Sequence, residues 1–262
     1  MQKLFSFRFS QNIWRILPHP DPARNEWALE LREISEKKVS FALIDLDKPA
    51  MIWQQEPEGT DWWTSLTSFS EGHIFLHNYR YPDIPEPTDL LCISVIDGHL
   101  SWALPNQVLV EHLGPGEEMV LMRSGEQLKY SGVNSNTGEL FTLIERSERE
   151  TITVNLKQPV RYKSGDMYFD QLSAFVKTAA GGAVPVSIDY LDQDPYMMFS
   201  YYIYAGEKFV QHLLIATKNR EILFHEKISE PRDAVSLSTM LLKGRVLVYL
   251  KNNNEFSSLK LS

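Results

Sequence analysis

Short apolar runs alternate with polar turns along this chain, and one unit returns: an apolar strand, a tight polar turn, then a short strand carrying a bulky aromatic. It reads Leu43-Ile44-Asp45-Leu46-Asp47-Lys48-Pro49-Ala50-Met51-Ile52-Trp53, then Ile93-Ser94-Val95-Ile96-Asp97-Gly98-His99-Leu100-Ser101-Trp102, then Val133-Asn134-Ser135-Asn136-Thr137-Gly138-Glu139-Leu140-Phe141. A fourth copy runs from Leu214 to Phe224. Period-2 or continuous apolar runs bounded by Gly, Asp, Asn and Pro are strands, and their repetition predicts an all-β fold, a β-propeller.

Four-stranded blades follow from the segments. The first takes Asn12–Leu17, Glu26–Ile34, Val39–Leu46 and Pro49–Gln55; the second Trp63–Phe69, Gly72–Tyr79, Asp89–Ile96 and His99–Leu104. The third takes Gln107–Leu113, Glu117–Arg123, Gln127–Asn134 and Glu139–Ile144, and the fourth Val184–Leu191, Tyr196–Ala205, Lys208–Ala216 and Glu221–Ile228. The last has only Ala234–Leu242, Arg245–Leu250 and Glu255–Leu261. The alternating segment Lys3–Phe9 is left over at the other end, and as the missing outer strand it removes an open sheet edge. The expectation is a five-bladed β-propeller closed by the N-terminal strand, one domain over residues 1–262. Asp97-Gly98 predicts a two-residue type I′ hairpin, with Thr137-Gly138 and Asn252-Asn253-Asn254 as related turn signals.

The aromatic markers Phe141 and Phe224 stand too far apart for one blade, so an insertion is expected over about 145–183. Within it Asp166 to Ala180 has helical period: Leu172, Phe175, Val176 and Ala179 share a face, Asp166 or Ser164 can cap the start, and Gly181 can sit just past the end. That helix would cover Tyr196–Tyr204, which is too aromatic for a half-solvated strand.

The segments Ile96 to Trp102 and Asn136 to Phe141 resemble the repeat of quinoprotein-type propellers, with its strand, Gly-containing turn and Trp strand. The whole chain, including Phe199-Ser200-Tyr201-Tyr202 and the helix before it, is also similar to a bacterial family known only as a domain of unknown function. The first resemblance implies architecture; the residues by which quinoprotein dehydrogenases hold their quinone are not found, so no cofactor is expected. The second implies no catalytic residues.

Composition narrows the function classes. A chain of 262 residues that is 43% apolar can bury a large core. The formal charge of −8 comes without a basic cluster, which argues against nucleic acid as a partner. The one cysteine, Cys92 in Leu90-Leu91-Cys92-Ile93, reads as a small buried hydrophobe in a reducing compartment. No signal-peptide core or membrane-length apolar stretch is present, so a cytoplasmic protein without membrane contact is expected.

Candidate chemistry is sparse. His73 and His77 lie four residues apart on a strand, about 13 Å at 3.3 Å per residue, too far to share an ion, so no metal site is expected. The other histidines, His19, His99, His112, His212 and His225, show no ligand spacing and are given surface or blade-edge roles. Asp61-Trp62-Trp63 precedes an inner strand, where indoles can stack on a sugar and a carboxylate can bind hydroxyls; Trp packing between blades is the plainer reading. A glycosidase needs two facing carboxyl groups, and Asp61, Asp189 and Asp233 fall at inner-strand ends. The proline-stiffened loop Arg80-Tyr81-Pro82-Asp83-Ile84-Pro85-Glu86-Pro87 should emerge on the same side as Asp61. Candidate ligand-binding residues are therefore Asp61, Trp62, Trp63, Arg80, Tyr81 and Asp83, and catalytic residues are not identified. The expected role is a non-catalytic binding or scaffold propeller for a protein or small-molecule partner; the alternative is a carbohydrate-binding or glycoside-hydrolase-like propeller.

Overall fold

Strands in this protein fall into two types according to how many of their faces are covered. The computed structural model describes residues 1–70, 72–81, 83–84, 86–114, 116–124, 127–143, 155–235 and 240–262. The chain divides into two compact units, Phe9–Val154 and Met1–Arg8 with Asn155–Ser262. β1 (Gln2–Arg8) belongs to the second.

Unit Phe9–Val154 holds three four-stranded antiparallel sheets, each a simple meander. The first is β2 (Asn12–Pro18), β3 (Glu26–Glu33), β4 (Lys38–Asp45) and β5 (Ala50–Gln55). The second is β6 (Ser65–Phe69), β7 (His73–Asn78), β8 (Asp89–Ser94) and β9 (Leu100–Pro105). The third is β10 (Val108–Gly114), β11 (Glu117–Ser124), β12 (Gln127–Asn134) and β13 (Leu140–Phe141). Middle strands such as β3 and β4 are buried along nearly their whole length because both faces are covered, whereas the edge strand β9 alternates. Apolar clusters fill the space between successive sheets: Leu43, Trp53, Leu66 and Leu76 between the first two, Phe75, Cys92, Val120 and Val133 between the next two.

The recurring aromatic has a defined task in this unit. Trp53 Nε1 donates to Val95 O at 2.8 Å and Trp102 Nε1 donates to Ser135 O at 2.7 Å, so each outer strand is hydrogen-bonded to a turn of the next sheet. A Cβ at Gly98 would lie 2.7 Å from the Trp53 ring, and one at Gly138 2.8 Å from the Trp102 ring. Both glycines have positive φ, 75° and 74°, so turn and ring contact select the same residue.

In the other unit, β14 (Leu156–Lys157) and β15 (Val160–Lys163) follow β1. β15 edges a sheet continued by β16 (Ser187–Gln193), β17 (Tyr196–Ala205), β18 (Lys208–Thr217) and β19 (Ile222–Lys227). β14 edges the sheet of β20 (Met240–Lys243), β21 (Val246–Lys251), β22 (Glu255–Lys260) and β1. β1 pairs with β22 from Gln2↔Lys260 to Arg8↔Glu255, with an Arg8–Glu255 ion pair of 2.8 Å at one end. This is the five-bladed propeller class read from the sequence, with the N-terminal strand completing the last blade.

Several local expectations change. Asp97-Gly98 does not form a two-residue type I′ turn: only Gly98 has positive φ, and residues 95–99 make a longer loop. It is closed by Ser94 N–H to His99 O at 3.0 Å and Gly98 N–H to Ser94 O at 3.0 Å. The type I′ geometry occurs instead at Asn252-Asn253, where φ is 50° and 61° and Asn254 N–H donates to Lys251 O. The last strand of the third sheet is confined to Leu140–Phe141, and the part of that expectation at Ile144 lies outside the described residues. So do residues 145–154 of the expected insertion and part of Ala234–Leu242.

The helix α1 spans Phe169–Ala179. Neither Asp166 nor Ser164 caps it: Tyr168 is the N-cap without a side-chain bond, because the Asp166 carboxylate accepts from Lys163 N–H at 2.7 Å. Gly181 does follow the C-cap, at φ 65°. Val176 is buried with Ile188, Phe199, Tyr201 and Leu214, and Phe175 stacks on Phe199 at 5.0 Å between centroids. The aromatic strand is thus covered as its composition demanded. No helix among the described residues is long and apolar enough to cross a membrane.

Candidate functional site at one edge of the second sheet

Two turns meet at the edge where β6 begins and β7 ends. The first is Asp61–Thr64, closed by Thr64 N–H to Asp61 O at 3.0 Å. Asp61 Oδ1 accepts from Trp63 N–H at 2.8 Å, so this carboxylate stiffens its own turn. Thr64 Oγ1 donates to Asn78 Oδ1 at 2.5 Å, and Asn78 Nδ2 donates to Gly59 O at 3.0 Å. Asn78, at the end of β7, also accepts through its backbone O from Thr88 N–H at 2.8 Å, which draws in the base of the second turn. One residue, Asn78, therefore joins the Asp61 turn through its side chain to the Arg80 loop through its backbone.

Arg32, which the sequence reading passed over, organises the first turn. Its guanidinium donates to Trp62 O at 2.6 Å, Thr64 O at 3.0 Å and Glu30 Oε1 at 2.7 Å. It also lies 4.9 Å from the Trp62 ring centroid and 5.4 Å from that of Trp14. Glu30 is fully buried and is satisfied by Leu66 N–H at 2.8 Å and Ser65 Oγ as well as by Arg32. Trp62 is thus engaged in structure, while Trp14 and Trp63 are exposed, 59% and 45%.

In the second loop Arg80 donates to Asp89 Oδ1 at 2.6 Å, and its N–H to Thr88 Oγ1 at 3.0 Å. Asp89 Oδ1 also takes Asn106 N–H at 3.0 Å. Arg80 is therefore an anchor of the loop. Tyr81 and Ile84 stay exposed at 56% and 50%, and Asp83 is exposed beside them. Below them opens a cavity of about 580 Å³, lined by Tyr81, Ile84, Glu86, Pro87 and Thr88 of the loop, Asn106 of the connection to β10, and Val108 and Leu121 of the next sheet. Pro82 and Pro85 lie outside the described residues.

Each of the three carboxylates considered for hydrolysis has its own local partners. Asp61 serves its turn, Asp189 is held by Arg161 in two bonds of 2.6 and 2.7 Å, and Asp233 is exposed with Lys208 at 3.8 Å. Among the described residues no three His, Cys, Asp or Glu side chains converge as metal ligands. Burial pushes the Cys92 thiol up, with the Glu118 charge adding to the effect, so Cys92 stays protonated in the core.

Of the histidines given surface or blade-edge roles, His19 is instead fully buried, while His112 and His225 are exposed as expected and His212 is half-buried. His112 binds Ser68 and Glu118, and His225 Nε2 sits 2.8 Å from the Tyr201 hydroxyl, with His212 stacked on the same Tyr201 ring at 5.3 Å. Burial, then the neighbouring His225 and Lys227 charges, lowers the pKa of His212.

No curated protein matches the chain. Among solved structures it is similar to BamB from Moraxella catarrhalis, at 8% identity over 98% of each chain with a TM-score of 0.34. It is similar to a member of the duf4221 family from Bacteroides vulgatus, at 9% identity over 100% of this chain and 96% of that one, TM-score 0.37. A third is the β-propeller domain of the Trilobed protease from Pyrococcus furiosus, at 10% identity over 96% of this chain and 67% of that one, TM-score 0.33. Residues 20–102, which span most of the first two sheets and the Asp61 and Arg80 turns, match the family described as Domain of unknown function (DUF4905).

Proposed function

We propose that the chain is a binding propeller whose ligand, a protein segment or a small apolar molecule, enters the cavity under the Tyr81–Thr88 loop. The observation that carries this reading is the cavity itself: an apolar wall of Ile84, Pro87, Val108 and Leu121 stands open beside an exposed Tyr81, with Glu86, Thr88 and Asn106 as its polar groups. Concave apolar surface with few polar groups is the usual form of a ligand site. A rigid platform supports it, since Arg80, Asp89 and Asn78 tie the loop to the sheet. A cytoplasmic setting is part of the proposal and rests on the buried, protonated Cys92.

A saccharide ligand is the second reading, favoured by two exposed indoles, Trp14, which lies against Arg32, and Trp63 beside the Asp61 turn. Thermal-shift screens with a peptide library and a saccharide library, run on the wild type, Tyr81→Ala and Trp63→Ala, separate the two. Stabilisation by peptides that Tyr81→Ala abolishes supports the first reading, and stabilisation by sugars that Trp63→Ala abolishes supports the second. A shift that survives both substitutions places the ligand elsewhere and sinks both.

A further inference from the structure

At the opposite strand ends of the same unit, three side chains that the loop edge does not use stand in line. Ser68 is half-buried near the end of β6, His112 near the end of β10, and Glu118 at the start of β11. Ser68 Oγ is 2.6 Å from His112 Nε2, and His112 Nδ1 is hydrogen-bonded to Glu118 Oε2. The Glu118 side chain is 1% exposed and that of His112 38%. The second carboxylate oxygen accepts from Ser135 Oγ at 3.1 Å, so Glu118 is fixed from both sides. The imidazole also packs beside the buried Phe75 ring, 6.1 Å between centroids.

A serine hydroxyl is a weak nucleophile unless a base lies within hydrogen-bond reach and a third group orients that base. Both conditions are met. A buried carboxylate on Nδ1 keeps the imidazole proton there and leaves the Nε2 lone pair facing Ser68. Satisfying Glu118 needs only His112 and Ser135; the Ser68 contact lies on the exposed side of the ring, where water could serve His112 equally well. Burial alone therefore does not account for the serine.

We propose that Ser68 is an activated nucleophile for acyl transfer from an ester, with His112 as its general base and Glu118 as the residue that positions His112. Ser68 Oγ attacks the acyl carbon while its proton passes to Nε2. Collapse of the tetrahedral intermediate breaks the bond to the leaving oxygen, which departs as an alcohol with the proton from Nε2. Water then attacks the acyl-serine, gives its proton to Nε2, and the carboxylic acid leaves as Ser68 recovers its hydrogen.

A fluorophosphonate probe tests this, because it bonds an activated serine through phosphorus with loss of fluoride, and peptide mapping locates the adduct. One adduct on Ser68 is expected, absent in Ser68→Ala and formed about a hundredfold more slowly in His112→Gln. In Glu118→Gln labelling should also slow, and Glu118→Asp, which keeps a carboxylate, should restore part of the rate. Ser68→Ala and His112→Gln sit at the partly exposed end of the network, so matched melting temperatures are expected and keep the test valid if Glu118→Gln unfolds. No adduct, an adduct confined to other residues, or equal Ser68 labelling in His112→Gln overturns the proposal in favour of a purely structural network.

Discussion

His77 Nε2 accepts a hydrogen bond from the backbone N–H of Leu109 at 3.0 Å, which ties β7 of the second sheet to β10 of the third. An imidazole can accept there only while Nε2 carries no proton. Burial, with the Arg15 charge adding to it, lowers the His77 pKa from 6.5 to about 4. Because the folded value lies below the unfolded one, stability is full above about pH 6.5 and falls as pH drops towards 4, while the unfolded chain takes up the proton and the folded one does not. The span corresponds to about 3 kcal/mol. Urea unfolding of the wild type and His77→Gln between pH 7 and 4 should show a shallower pH slope in the variant. Equal slopes would mean that His77 does not contribute to it.

Gly98 carries two constraints at once, and a methyl group violates both. In Gly98→Ala the Cβ would meet the Trp53 ring at 2.7 Å, at a backbone φ of 75° that L side chains rarely adopt. The left-handed backbone alone costs about 1–2 kcal/mol, and displacing the indole should add to that. Trp53→Phe, which removes the Nε1 donor to Val95 but keeps most of the apolar contact, should cost less. The order of the two melting temperatures checks the assignment: a Gly98→Ala protein as stable as Trp53→Phe would show that the ring is not held against this turn.

What the sequence revealed follows from what each residue does. Middle strands such as Lys38–Asp45 and Tyr196–Ala205 were legible because burial on both faces leaves a continuous apolar run, and Gly98 and Gly138 mark the turns that receive the indoles. β14 and β15 were not. At two and four residues they add backbone pairing to a sheet edge and bury little side chain, as the exposed Val160 shows, so the hydrophobic pattern leaves no trace of them. At the site, the Asp61 and Arg80 turns were found from their aromatic and proline content, but their carboxylate and guanidinium prove to be structural anchors. Ser68 and His112 lie 44 residues apart on strands of different sheets, a relation that only the stacking of blades creates. Arg32 did leave a signal: with Glu30 it places two opposite charges on one face of a strand that is otherwise apolar.

That pair supplies the last expectation, which connects core packing to the candidate site. Arg32 donates to Glu30, Trp62 O and Thr64 O from a planar group lying against the Trp14 and Trp62 rings, an arrangement a lysine ammonium cannot reproduce. In Arg32→Lys the charge survives and partly compensates the fully buried Glu30, but at least one carbonyl of the Asp61–Thr64 turn loses its donor. A loss of about 2 kcal/mol is expected, because a buried acceptor left unpaired costs its desolvation. Local exchange distinguishes this from a general weakening. Amide protection should fall most at Trp63, Thr64 and Leu66, which are held directly or through Glu30, while amides of β8 and β12 keep theirs. Uniform loss across the unit would show that Arg32 supports the core and not the site edge.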